Sequence, residues 1–116
     1  MTANTITSQD SRKAQIDAFL LSFPGTTARK LNGLDAYFVN DKMFACISGD
    51  GIGLRLPVAT ATELQFARDN VVPFRPSGMA SSREWIQIDR IDSLEYEKDR
   101  ELFQTAIDFV KATRAR

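Results

Sequence analysis

The sequence contains no histidine, a single cysteine and no net charge. The missing imidazole removes the usual general base near neutral pH, the Ser-His and Cys-His nucleophile pairs, and most catalytic zinc sites. One cysteine, Cys46, excludes a disulfide within the chain. Its place in the apolar run Met43-Phe44-Ala45-Cys46-Ile47 reads as a small buried thiol rather than a nucleophile. Fifteen Lys plus Arg offset fifteen Asp plus Glu, so there is no general attraction to phosphate backbones or anionic membranes, and nucleic-acid binding would need a local patch. No apolar stretch approaches the length of a membrane span, and the opening residues lack the basic start and apolar core of a secretory signal. The cytosol is the expected compartment, without membrane contact.

What is present is the balance of a globular protein: 43% hydrophobic and 26% charged residues over 116 positions, enough for one domain with one core. Ser8 is placed to cap a helix running to about Phe23, since Ile16, Phe19, Leu20 and Phe23 share a face and Pro24-Gly25 stops it. One narrow apolar stripe belongs on a sheet.

Between Thr26 and Leu56 the period changes to two. Segments 35–39 and 43–48 read as strands about Asn40-Asp41-Lys42; Ser48-Gly49-Asp50-Gly51 turns into a strand over 52–56, and Thr26 to Leu31 adds a preceding one with Asn32-Gly33 as its turn. Ile52, Leu54 and Leu56 alternate with Gly53 and Arg55, which predicts one face in the core and one toward water. Thr60 with Glu63 is a capping-box signature for a helix to about Asn70, with Leu64, Ala67 and Val71 inward. The two prolines and glycine of Val72 to Gly78 predict a loop, Trp85 to Asp89 alternates as a strand, and a last helix runs from about Ser93. The expected fold class is α+β: an antiparallel β-sheet meander flanked by N- and C-terminal helices, in the order α, three or four strands, α, β, α.

Four stretches together carry a resemblance: Lys30 to Ala45 around a short turn, Gly51-Ile52-Gly53-Leu54-Arg55-Leu56-Pro57, Pro73-Phe74, and Gly78-Met79-Ala80-Ser81-Ser82-Arg83-Glu84-Trp85-Ile86. Their order resembles that of the TfoX/Sxy N-terminal-domain family, from about Thr26 to Trp85 with helices at both ends. The resemblance implies an antiparallel sheet flanked by helices and brings no established catalytic residues. In the founding regulators a helical C-terminal domain follows and the whole protein activates competence genes; nothing up to Arg116 matches that second domain, so the regulatory role is not carried over.

Arg83-Glu84-Trp85 is the strongest candidate for a functional patch, since Arg83 and Trp85 beside a Pro/Gly loop could stack on or clamp a ligand. The competing expectation, favoured by how often aromatics are buried, packs Trp85 in the core and leaves Arg83 and Glu84 solvated. Arg55 points away from the apolar side of its strand and could join Arg29, Lys30 and Lys42 in a basic surface on an open sheet face, with Tyr37 and Phe44 as base-stacking aromatics; but basic residues scattered singly are more often a solvated face, and aromatics in strands are more often core. Gly49 to Gly53 does not open a helix and reads as a turn, not a phosphate cradle. Asp89, Asp92 and Glu95 could bind a metal or act as acid and base, but their spacing fits helix capping equally well, so the catalytic reading carries little weight. The leading expectation is therefore a noncatalytic regulatory or protein-interaction module, binding a protein partner or itself as a homodimer, with no cofactor and no metal. A weak nucleic-acid-binding module is second, and a small enzyme with a carboxylate/Arg site third.

Overall fold

The structure, a computed structural model, describes residues 8–31, 33–49, 51–74 and 83–113, with side chains from Ser11 onward. The expected cap at Ser8, residues 75–78 of the expected loop and residues 79–82 of the last stretch of the resemblance lie outside the described side chains.

The chain runs α1 (Ser8–Leu20), β1 (Thr26–Leu31), β2 (Leu34–Val39), β3 (Lys42–Ser48), β4 (Gly51–Arg55), α2 (Val58–Ala67), β5 (Val71–Pro73), β6 (Trp85–Asp89), a 3-10 helix (Ser93–Asp99) and α3 (Arg100–Ala112). The strands form one sheet in the order β1-β2-β3-β4-β6-β5, with every neighbouring pair antiparallel. The α+β class, the meander of four strands and the helices on both sides of it in sequence agree with the expectation from periodicity.

Local chemistry explains most boundaries. Asn40 and Asp41 both hold positive φ, 52° and 62°, the conformation of a two-residue turn whose twist matches the flanking strands. Helix α1 ends at Leu20, a turn earlier than its apolar pattern suggests. The Thr26 hydroxyl there donates to the carbonyls of Leu20 (2.9 Å) and Phe23 (2.8 Å), and Ser22 Oγ to that of Phe19 (2.6 Å), satisfying carbonyls the helix leaves open. Phe23 still packs inward from the turn.

The capping box of α2 is corrected. The helix begins at Val58, with Pro57 as N-cap at φ −54° and no side-chain cap bond, so Thr60 lies inside the first turn. Its buried residue is Ala61; Leu64 is half-buried and Ala67 exposed. The helix gives way at Arg68, and Asn70 is drawn off to the sheet, its backbone carbonyl accepting from Asp89 N–H at 2.9 Å. Val71, Val72 and Pro73 are correspondingly a short edge strand, not loop, a place where a proline's missing donor is tolerated.

The expectation that β4 shows one face to water is also overturned. It lies between β3 and β6, and Gly51 through Leu54 are all buried. One face packs Tyr37, Phe44, Ile52, Leu54, Ile86 and Ile88 against α1, α2, α3 and the 3-10 helix. Across the sheet a second apolar cluster gathers Ala36, Phe38, Met43, Cys46 and Trp85, with Leu34 and Phe74 against it. A register shift in the β2–β3 pair between Tyr37 and Phe38 lets Phe44 and Ala45 both join the helix-side core. Each fully buried Phe, Leu or Ile in these clusters contributes on the order of 1.5–3 kcal/mol. Among the described residues no helix is long and apolar enough to cross a membrane.

Candidate functional site

The three candidate binding residues do not form one exposed patch. Trp85 is 2% exposed, opposite Arg55 in the β4–β6 ladder, and meets Phe74 edge-on at 6.0 Å between centroids. It is a packing residue and is not open to stack on a ligand. Arg83 lies before β6 and is exposed. Arg55 Nε donates to Glu84 Oε1 at 2.8 Å, and its guanidinium carbon lies 5.6 Å from the Phe109 ring centroid. Glu84 is thus an ion-pair partner rather than a merely solvated neighbour.

The basic surface around Arg55 is not assembled. Arg29 stacks on Phe38 at 4.0 Å, Lys30 lies 3.4 Å from Asp35 on the opposite face of the same strand, and Lys42 donates to the carbonyl of Thr113. Tyr37 and Phe44 are fully buried on the helix side, the core placement that strand aromatics favour, and are not open to stack on a base.

Burial also governs the reactive groups there. Desolvation, chiefly, and then the hydrogen bond and charge of Asp17 hold the Tyr37 phenol well above its ordinary range. Burial pushes the Cys46 thiol up to about 12, with a backbone hydrogen bond from Gly53 acting weakly in the other direction, so it stays protonated and inert at neutral pH.

A polar cleft of about 1080 Å³ opens instead at the end of the sheet, lined by Arg12, Ser48, Gly49, Asp69, Asn70, Gln87, Asp89, Arg90, Ile91 and Glu95. Five elements supply it: α1, the end of β3 with its turn, the α2–β5 link, the end of β6 and the 3-10 helix. Arg12 reaches across from α1, its Nη1 donating to the Ile91 carbonyl at 3.0 Å and its Nη2 to the Arg90 carbonyl at 2.6 Å. Asn70 Nδ2 donates to the Asp89 carbonyl at 3.0 Å, and Gln87 Nε2 to Asp89 Oδ1 at 2.8 Å.

Behind the cleft, Arg90 donates through Nε and Nη2 to the buried carboxylate of Asp99 at 3.1 and 3.0 Å, and Arg68 donates to the same group at 2.7 Å. This bonding holds the Arg90 guanidinium above its usual range. Asp92 caps the 3-10 helix, its Oδ1 accepting from Leu94 N–H at 2.9 Å, as the capping expectation required; Asp89 and Glu95 lie in the cleft. Among the described residues no three His, Cys, Asp or Glu are grouped to hold a metal ion. The cleft can therefore present amides and carboxylates to a polar ligand, with its arginines bonded to the protein itself. Sequence reading missed Arg12, Asn70, Gln87 and Arg90, and no motif marks them, since they meet only across separations such as Arg12 to Arg90.

Compared with models of known protein families the chain matches none, and no curated protein matches it.

Proposed function

We propose that the chain is a noncatalytic regulatory or protein-interaction domain of the TfoX/Sxy N-terminal type, acting in the cytosol on a protein partner or on a second copy of itself, without a cofactor. The carrying observation lies at the cleft, where Ile91 is 99% exposed among Arg12, Arg90, Asp89 and Glu95, with Leu94, 61% exposed, next to Glu95 in the 3-10 helix. Apolar side chains standing in water within a charged surround have the composition of a protein contact. The bonding of Arg12 and Arg90 to main-chain carbonyls and to Asp99 supports the noncatalytic reading.

The test is an Ile91→Ser/Leu94→Ser variant, checked for fold by circular dichroism, then compared with the parent by light scattering and by crosslinking in cells. Loss of an oligomer or of a crosslinked protein supports the proposal. Turnover of a small metabolite that vanishes on Asp89→Asn or Arg83→Ala overturns it, and so does salt-sensitive binding to duplex DNA that is lost in Arg55→Glu.

A further inference from the structure

Among the described residues the sheet ends in two edge strands of unequal character. Edge strand β5 is three residues long and ends in Pro73, whereas β1 runs six residues and is exposed from Thr27 to Leu31. Two residues separate Leu31 from its partner Leu34, and a turn of that length closes on a hydrogen-bonded pair. Alternation then directs the amides of Leu31, Arg29 and Thr27 at β2, and those of Lys30, Ala28 and Thr26 outward. Thr26 N–H is drawn back to the Phe23 carbonyl at 3.4 Å, in keeping with that phase, so Ala28 and Lys30 carry the open part of the ladder.

The side chains add a charge pattern. Arg29 lies on the Phe38 side of the sheet and Lys30 on the helix side, and Thr26-Thr27-Ala28-Arg29-Lys30-Leu31 contains no acidic residue. Their carboxylate neighbours differ: Asp41 is 4.0 Å from Arg29 and 93% exposed, whereas Asp35, 3.4 Å from the exposed Lys30, is itself 27% exposed. The Arg29 pair, exposed on both sides, contributes little and exchanges readily, and Lys30 keeps most of its surface open to a second carboxylate. A strand added to β1 therefore meets one cation on each face.

We propose that β1 is a docking edge for an extended acidic segment of a protein partner, which adds as a seventh strand and offers consecutive carboxylates, one to Arg29 and one to Lys30. This rests on the protein-interaction reading and supplies its partner. A second copy fits less well, because antiparallel pairing about Ala28 sets the two Arg29 side chains diagonally across one face, and β1 brings no carboxylate to either cation.

The probe is a fluorescein-labelled peptide, Ser-Thr-Val-Glu-Glu-Val-Thr-Ser, titrated against the full chain by anisotropy, with a Lys-Lys peptide as control. The acidic peptide is expected to bind and to slow hydrogen exchange at Ala28 and Lys30, and Arg29→Glu/Lys30→Glu to weaken it by about tenfold or more. Ala28→Pro removes an outward donor at an edge where proline is tolerated and should abolish binding. Alternate N-methylation of the peptide makes the same test without altering the protein. No binding, equal binding of the Lys-Lys peptide, or indifference to the charge reversal overturns the proposal. A dimer of the chain that Ala28→Pro dissolves overturns it in favour of self-pairing. Crosslinking in cells that is lost in Ile91→Ser/Leu94→Ser but kept in Ala28→Pro overturns this inference alone and leaves the interaction reading standing.

Discussion

The ring of Phe74 occupies the space that a side chain at Gly53 would fill: a Cβ there would stand 2.6 Å from Cδ2 of the ring and nearer still to Cε2. The ring is backed by Trp85, met edge-on, and Cys46 Sγ would lie 3.2 Å from the same Cβ. The second apolar face of the sheet is thus closed over β4 by an aromatic residue that only glycine admits.

Gly53→Ala should therefore destabilise by about 1–3 kcal/mol, the usual cost of overpacking. In a thermal melt that is a fall of about 4 °C per kcal/mol for a domain of this size. Combining it with Phe74→Ala should recover part of the loss attributable to the clash. Strict additivity of the two changes would show that the ring does not sit against Gly53.

Asp99 is fully buried and holds both Arg68 and Arg90, tying the end of α2 and the end of β6 to the start of α3. Asp99→Ala should cost about 3–5 kcal/mol, because it leaves two partly buried guanidinium groups without their carboxylate. Arg68→Ala should cost less, since Arg90 still pairs Asp99. Urea unfolding of the two variants checks the order, and an equal or reversed ranking would count against this arrangement.

Phe103 is fully buried and lies edge-on to Phe19 at 5.0 Å and to Tyr96 at 6.2 Å, whereas Phe66 is 89% exposed on α2. Phe103→Ala should cost about 3–5 kcal/mol. Phe66→Ser should stay within about 0.5 kcal/mol of the parent, as surface changes do. Chemical denaturation separates the two outcomes.

Alkaline pH should weaken the fold. The Cys46 thiol, from an ordinary value of 9.0, is pushed up to about 12 by burial, and the Tyr37 phenol is also raised. With folded pKa values above the unfolded ones, the folded chain holds more protons between them, so stability is unaffected below the unfolded value and falls as pH rises above it. The slope approaches about 1.4 kcal/mol per pH unit for each group that only the unfolded chain ionises. Urea midpoints from pH 7 to 11 test this, and thiol reagents should reach Cys46 no faster than the chain opens. Rapid labelling of the native protein at neutral pH would contradict its burial.

Arg55→Ala and Glu84→Ala should be coupled, since each removes the other's partner at 2.8 Å, with both about a quarter exposed. A double-mutant cycle should return about 0.5–1.5 kcal/mol. A coupling near zero would mean that the ion pair does not hold Arg55 to Glu84 in solution.

Much of this architecture was legible because it is local. The turn at Asn40-Asp41 and the stop after α1 follow from residues within a few positions of each other, and the shift from a period near four to a period of two separates α1 from the meander. The lower limit of that reading is the length of β5, three residues with a proline, whose strand character comes from pairing with β6 rather than from its own composition. The box at Thr60 and Glu63 misled because Pro57 starts the helix earlier and needs no side-chain cap.

The site was less legible, for the same reason in reverse. Arg55 looked exposed because its strand alternates, but alternation cannot tell an edge from a centre, and β6 arriving from 30 residues later on its far side makes β4 central. Arg12, Asn70, Gln87 and Arg90 carry no signal of their own and meet only because α1 and the end of β6 share one end of the sheet. By itself the sequence determined the elements, their order and the chemistry that is absent, since propensity, period and composition act over short spans. Tertiary structure alone decided which arginines are bonded internally, which apolar residues stand in water and which strand is left at the edge, because those depend on contacts between residues far apart in the chain.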